Sequence, residues 1–448
     1  MQYRGSSGRG LRRQFYKYLI PSIGAMWFFS IYTMIDGIFV GRGVGPDALA
    51  SVNLSMPFIS TVFAVSLLFS VGSSTFITYY LGKGDKKLCD NIFTMNILIT
   101  LSIGIIISIL SLIFLDKLVV LLGASHETLG LVKDYLKIII IFSPFFMLSY
   151  TLEVLVKSDG HPGHSLIFVV ISALTNIILD YILVIKYDYG IKGAAYATGI
   201  SQFISFVGYM SHFLSRRSEL SFVRPKINFH DIRSIIRLGF PEALTEFSAG
   251  FATFMFNFTI LKFIGYREVA SFSVIMYMNN LVISTMVAIN QGMQPLVSFY
   301  HGSSDKKCIK KIIKYSVNTT ALWGFLFFIT SRFFADEIVS FFISQSNTEI
   351  YKLSVYGLKV FSISFLLTGF NIIISGFLTA LKVSKSAMLI SSLRGYIIIS
   401  ASLIILPNLI GDIGIWGAAI MSEFITLLIT YFIYKKDSFG LKLSFSRI

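Results

Sequence analysis

Residues 45–51 read Gly45-Pro46-Asp47-Ala48-Leu49-Ala50-Ser51, and 220 positions later residues 265–271 read Gly265-Tyr266-Arg267-Glu268-Val269-Ala270-Ser271. The same offset carries Tyr80 to Tyr300 and Asp85-Lys86-Lys87 to Asp305-Lys306-Lys307. Near the end of each copy, Gly190-Ile191-Lys192-Gly193-Ala194-Ala195 is matched by Gly414-Ile415-Trp416-Gly417-Ala418-Ala419, now 224 positions away. The chain therefore contains one unit twice. The duplicated unit is apolar: 54% of all residues are hydrophobic, 14% are charged and the mean hydropathy is +0.74.

Twelve apolar stretches recur along the sequence, at about 17–40, 49–80, 91–115, 131–156, 165–185, 191–214, 235–261, 269–299, 315–343, 353–380, 386–407 and 414–434. Each is long enough to cross roughly 30 Å of hydrocarbon. In lipid every backbone N–H and C=O needs an internal partner, which selects helices for spans of this length. The reading is an all-α polytopic membrane protein with twelve transmembrane helices in two six-helix repeats. An even number of spans per copy makes the repeats parallel, related by an axis along the membrane normal. The expected division is a first bundle at 1–214, a cytoplasmic linker at 215–233 and a second bundle at 234–448. The linker carries Arg216-Arg217-Ser218-Glu219 and Arg224-Pro225-Lys226, too polar for the bilayer interior.

The net charge of +15 follows topology. With the N-terminus in the cytoplasm, the tail (Arg4, Arg9, Arg12, Arg13, Lys17), Lys83, Lys86, Lys87, the linker, the Lys306–Lys314 loop and the C-terminal tail all fall on one face. Most of the 38 Lys and Arg then lie inside, which is the positive-inside pattern and places both termini in the cytoplasm. The basic balance implies contact with anionic lipid and no nucleic-acid partner. The first apolar span is too long for a cleavable signal peptide. Cys89 and Cys308 fall on the cytoplasmic side, in no metal-ligand or CxxC spacing, and read as inert buried thiols. No phosphate-binding loop is present, so ATP is not the direct energy source. Neither a His/Glu metal set nor a nucleophile with a partner base appears, which argues against an intramembrane enzyme. No cofactor and no obligate protein partner is expected.

Ionisable groups within a span usually face a cavity or a partner. Asp36 lies within the first span and Asp180 within the fifth, with Asn176 one turn before it on the same helical face; Thr198 lies within the sixth. Asp36 precedes Arg42, Asp180 precedes Lys186 and Thr198 follows Lys192, each by six residues. At 1.5 Å per residue this puts all of them roughly 9 Å below one boundary. Two carboxylates, a carboxamide and a hydroxyl at one depth suit a proton or a hard monovalent cation such as Na+. No Lys or Arg within the core of the first six spans neutralises the acids. In the second copy the corresponding positions are Phe256, Ser400, Ile404 and Ser422. The acidic candidates there are Glu242, Glu246 and Glu423, with Arg394 as the candidate ion-pair partner for the deeper two. Glu153 and Lys157 are spaced for a pair on a helix surface. His161, His164 and His301 are expected in solvated loops.

These residues resemble the multidrug and toxic-compound extrusion (MATE) transporters. The carriers of the resemblance are Asp36, Asn176-x3-Asp180 and Thr198, and the opening segment from Pro21 through Asp36-Gly37-Ile38-Phe39-Val40-Gly41. Gln291-Gly292-Met293-Gln294-Pro295 with Tyr300-His301-Gly302 is similar to the eighth helix of the family's bacterial drug-efflux branch. The resemblance covers nearly the whole chain. It implies a V-shaped twelve-helix bundle in the cytoplasmic membrane, exporting amphipathic, often cationic drugs in exchange for inward Na+ or H+. Asp36, Asn176, Asp180 and Thr198 are then the coupling-cation site, while Glu246, Met276, Asn280 and Glu423 are substrate-contact candidates. The alternative within this architecture is a flippase for a lipid-linked oligosaccharide, which would want a cationic cavity for a pyrophosphate.

Overall fold

In the computed structural model, residues 8–265, 269–343 and 348–437 are described. Tyr266, Arg267 and Glu268 of the second repeat copy, Arg4 and the end of the C-terminal tail lie outside the described residues. The described chain is helical, with no strand among its residues. Its helices are α1 (Gly8–Gly43), α2 (Pro46–Lys83), α3 (Lys86–Ile113), α4 (Leu115–Leu121), α5 (Leu129–Ser158), α6 (Pro162–Asp180), α7 (Gly190–Leu214) and α8 (Phe229–Phe263). They continue as α9 (Val269–Gly302), α10 (Lys306–Phe333), α11 (Ala335–Phe342), α12 (Thr348–Phe361), α13 (Phe365–Ala380), α14 (Ser384–Ser392), α15 (Ile398–Ile410) and α16 (Asp412–Asp437).

A 3₁₀ turn at Ser362–Ser364 joins α12 to α13, and π-helical segments at Tyr181–Lys186 and Leu393–Ile397 extend α6 and join α14 to α15. Ten of the twelve expected spans each fall within one helical stretch, while 91–115 and 315–343 overrun the ends of α3 and α10 into the short helices α4 and α11. Among the described residues, ten stretches are long and apolar enough to cross a membrane by length and composition alone. The two outside that set are α7, with its Gly, Ser and Thr residues, Gln202 and His212, and α8, with Arg237, Glu242 and Glu246.

The duplication is visible in local detail. α2 ends at Gly84, whose left-handed φ of 82° lets its N–H reach back to the carbonyls of Leu81 and Tyr80. Asp85 then caps α3 by accepting from the Leu88 N–H at 3.1 Å, and 220 residues on Asp305 caps α10 by accepting from the Cys308 N–H at 3.0 Å. The short helices α4 and α11, which hydropathy did not resolve, are also 220 residues apart.

Residues Tyr16–Ala243 make one compact unit, and the chain from Leu244 onward makes a second together with the described residues up to Phe15. In the first unit an apolar core of Phe69, Phe76, Ile92, Phe93, Leu152 and Tyr209 extends to Leu220 in the linker. The linker is a strap along α3: the Ser221 N–H donates to Asp90 Oδ1 (2.9 Å), the Val223 N–H to Thr94 Oγ1 (3.1 Å) and the Lys226 N–H to Asn91 Oδ1 (2.7 Å). An extended segment has no internal ladder, and here side chains of α3 satisfy its backbone donors. Where α2 meets the start of α8, a Cβ on Gly72 would lie 2.1 Å from the Ile235 carbonyl oxygen and one on Gly239 1.8 Å from that of Leu68. Only glycine permits backbones to approach so closely.

Candidate functional site

The first unit gathers the predicted polar residues. Asp180 is the last residue of α6, and the π segment begins at the next position. Such an extra-residue turn breaks the regular hydrogen-bond ladder and recurs at functional sites. The side chains of Asp180 and of Asp36, from α1, interact directly. Asn176, one turn earlier on α6, approaches Thr198 of α7 with Nδ2 3.5 Å from Oγ1. Asn176 and Asp180 are 0% exposed and Asp36 is 9% exposed.

Both Asp180 oxygens, Asp36 Oδ1 and Asn176 Oδ1 are buried without a hydrogen-bond donor. Two ionised carboxylates cannot hydrogen-bond to each other, since each only accepts. A proton on one carboxyl or a hard cation among the oxygens would satisfy these acceptors.

Around this pair lie residues that sequence reasoning passed over. Ser149 Oγ donates to Gln202 Oε1 at 3.1 Å, and Gln202 Nε2 donates to the Tyr32 hydroxyl oxygen at 3.4 Å. Tyr135, from α5, is buried close enough to Asp36 and Asp180 to feel both charges. Tyr32, four residues before Asp36, and Gln202, four residues after Thr198, had a signal in the sequence, each on the helical face of a predicted site residue; Tyr135 had none. A cavity of about 40 Å³ lined by Val62, Phe142, Ser143, Thr198 and Gln202 adjoins this network.

The second unit does not rebuild the cluster. Phe256, in the place of Asp36, stacks on Phe272 with ring centroids 4.7 Å apart, and Ile404, in the place of Asp180, is exposed. Glu423 of α16 is paired: Arg394 Nε lies 2.8 Å from its Oε1, and Asn371 Nδ2 donates to its Oε2 at 2.7 Å. Ser422, in the place of Thr198, donates to the Arg394 carbonyl at 3.4 Å. Glu246 and Met276 are half-buried and Asn280 is exposed, and among the described residues Glu246 makes no hydrogen bond or ion pair. Thr245 bonds Ser391 at 3.0 Å, which places the helical turn carrying Glu246 against the end of α14, just before Arg394.

Three expectations are corrected. Glu153 and Lys157 do pair, at 2.7 Å, but Lys157 is 2% exposed, so the pair is buried under the core and not on a helix surface. His301 is half-buried at the end of α9. His161 and His164 are not free in solvent: they pack against His212 of α7, with His164 Nδ1 2.9 Å from His212 Nδ1. His212 Nε2 lies 2.8 Å from Asp159 Oδ2, and Asp159 Oδ1 accepts from the Glu219 and Leu220 N–H groups at 2.9 and 3.0 Å. Burial pushes the Asp159 carboxyl upward, but hydrogen bonds from His161 and His212 outweigh it and hold the group below the ordinary carboxylate range. Cys89 and Cys308 are free and buried.

A family model, MatE, matches residues 21–182 and 241–405. The chain is similar to the multidrug export protein MepA of Staphylococcus saprophyticus subsp. saprophyticus, 27% identical over 403 residues covering 89% of this chain and 88% of that protein. Among solved structures it is similar in fold to a MATE crystal structure in complex with MaL6, with a TM-score of 0.93 at 20% identity over 98% of both chains. It is also similar to a MOP superfamily transporter from Pyrococcus furiosus, with a TM-score of 0.92 at 20% identity over 99% of this chain and 98% of that one.

Proposed function

Because this chain belongs to the MatE family of multidrug and toxic-compound extrusion transporters, we propose that it is a cation-coupled antiporter of the cell membrane that exports amphipathic, often cationic compounds. Its relatives named as multidrug export proteins support that substrate class. The observation that carries the coupling is the buried Asp36–Asp180 pair: among the described residues no donor reaches Asp36 Oδ1 or either Asp180 oxygen, and no Lys or Arg forms an ion pair with the two acids.

On this reading Asp36, Asp180, Asn176 and Thr198 hold the entering H+ or Na+, and Tyr32, Tyr135 and Gln202 form the polar surroundings of the site. Occupancy neutralises the pair and favours one conformation; substrate favours the other. A difference of about 1–3 kcal/mol in preference is enough to couple the two. Both termini are then cytoplasmic, and Glu246, Met276 and Asn280 are the substrate contacts, with Glu423 committed to Arg394. The paired state of Arg394 also disfavours a pyrophosphate-binding flippase, which needs free positive charge.

The test is ethidium efflux from proteoliposomes under separately imposed Na+ and pH gradients. One gradient should accelerate efflux and the other should not; stimulation by neither sinks the antiporter reading.

A further inference from the structure

The acid pair does not account for every cluster of ionisable groups in the first unit. Asp159 and His161, between α5 and α6, and His212 of α7 each offer a ligand atom, and these atoms lie within 4.8 Å of one another. Asp159 Oδ2 is 3.3 Å from His161 Nδ1 and 2.8 Å from His212 Nε2. Ligand atoms of a tetrahedral ion with bonds near 2.0–2.1 Å stand about 3.3 Å apart, so the first spacing already fits and the second opens slightly.

We propose that Asp159, His161 and His212 form a binding site for a divalent transition-metal ion of the zinc class, braced by His164 and tied to the linker strap. One carboxylate and two imidazoles are the nitrogen and oxygen ligands that such ions take, and the partly exposed His161 leaves a fourth position open to water.

Each buried ligand has an outer partner. Asp159 Oδ1 is fixed by the Glu219 and Leu220 N–H groups, which leaves Oδ2 for the ion. His212 Nδ1 meets His164 Nδ1 at 2.9 Å; with the metal on Nε2, His212 carries its hydrogen on Nδ1 and donates it to His164. This is how second partners set the tautomer and orientation of a ligating histidine. Without metal, His212 Nε2–H donates to Asp159 Oδ2, so the ion displaces that proton to solvent. The charged groups nearby are mixed: Arg217 faces His164, Asp90 faces Asp159, and Lys17 Nζ is 3.4 Å from the Gly160 carbonyl.

The second repeat shows that the turn itself does not require these residues. Its counterpart, 222 residues on, is Leu381-Lys382-Val383-Ser384. Gly160 and Lys382 both take positive φ, 91° and 64°, and the His161 and Val383 N–H groups make matching bonds to Val156 and Leu378. The backbone is kept while Asp159 and His161 are replaced by Leu381 and Val383.

Calorimetric titration of the tag-free full-length protein in detergent with Zn2+ near neutral pH tests this. About one ion per chain should bind, and Co2+ in its place should give the visible absorption of a tetrahedral site. His161→Gln and His212→Gln should abolish uptake, and His164→Ala should weaken it roughly 10- to 100-fold. No uptake by the parent chain overturns the proposal. So does uptake unchanged in His161→Gln, the more exposed of the two histidine ligands, with its fold checked by circular dichroism, so the result stands even if His212→Gln unfolds.

Discussion

In the first repeat the π segment follows Asp180 directly, and the carboxylate it presents has no donor and no fixed counter-ion. In the second repeat the π segment contains Arg394, whose guanidinium lies on Glu423 with Asn371 on the other oxygen. The same departure from α geometry thus serves opposite electrostatics. A guanidinium on a side chain neutralises the second acid permanently, whereas the first pair can be neutralised only by something that arrives from outside. A buried acid of either kind is expensive. The two repeats differ in whether a fixed side chain compensates the acid, and the proposed coupling role of the first half rests on that difference.

The largest expected effect breaks this asymmetry at the first site. Asp36→Asn or Asp180→Asn should lower gradient-driven efflux by roughly 5- to 150-fold, the span of an ordinary coupling free energy. Melting temperature should hold or rise, because a neutral amide replaces a buried unpaired carboxylate. A variant that pumps as well as its parent, or one that unfolds, removes the contrast.

The converse change is Arg394→Met, which turns the second site into an imitation of the first. Leaving Glu423 buried and unpaired should cost about 3–5 kcal/mol of stability. Adding Glu423→Gln should recover most of it, and chemical denaturation in micelles measures both. Equal stability of the single and double variants would show that the pair is not what compensates Glu423.

How far this contrast was legible in the sequence differs between its parts. The spans, the repeat and the common depth of Asp36 and Asp180 follow from hydropathy, offset and helical spacing, because lipid forces one secondary structure and repeated sequence forces repeated geometry. Arg394 opposite Glu423 was one of two readings left open, since composition cannot say whether two buried charges on different helices meet. The π segments were invisible: a single extra residue in a turn leaves hydropathy unchanged. The strap along α3 was hidden because its bonds run from linker backbone to Asp90, Asn91 and Thr94, residues that look like the ordinary polar edge of a span. The histidine cluster joins positions about fifty residues apart, a pairing made by the packing of α5, α6 and α7 and by no local pattern.

The smallest effect separates the two repeats at matched hydroxyls. Ser422 donates to the carbonyl of Arg394 within the π segment, a structural bond whose loss in Ser422→Ala should cost about 0.5–1.5 kcal/mol and leave the cation dependence of efflux unchanged. Thr198 instead meets the Asn176 amide beside the donor-less oxygens. Thr198→Ala should therefore cost a similar amount in stability but shift the cation concentration for half-maximal efflux by several-fold. The two hydroxyls occupy corresponding places on α7 and α16, so a stability assay alone cannot tell them apart. The cation titration can: if Ser422→Ala shifts it as much as Thr198→Ala does, coupling is shared between the repeats and the division of labour drawn from the acid pairs is wrong.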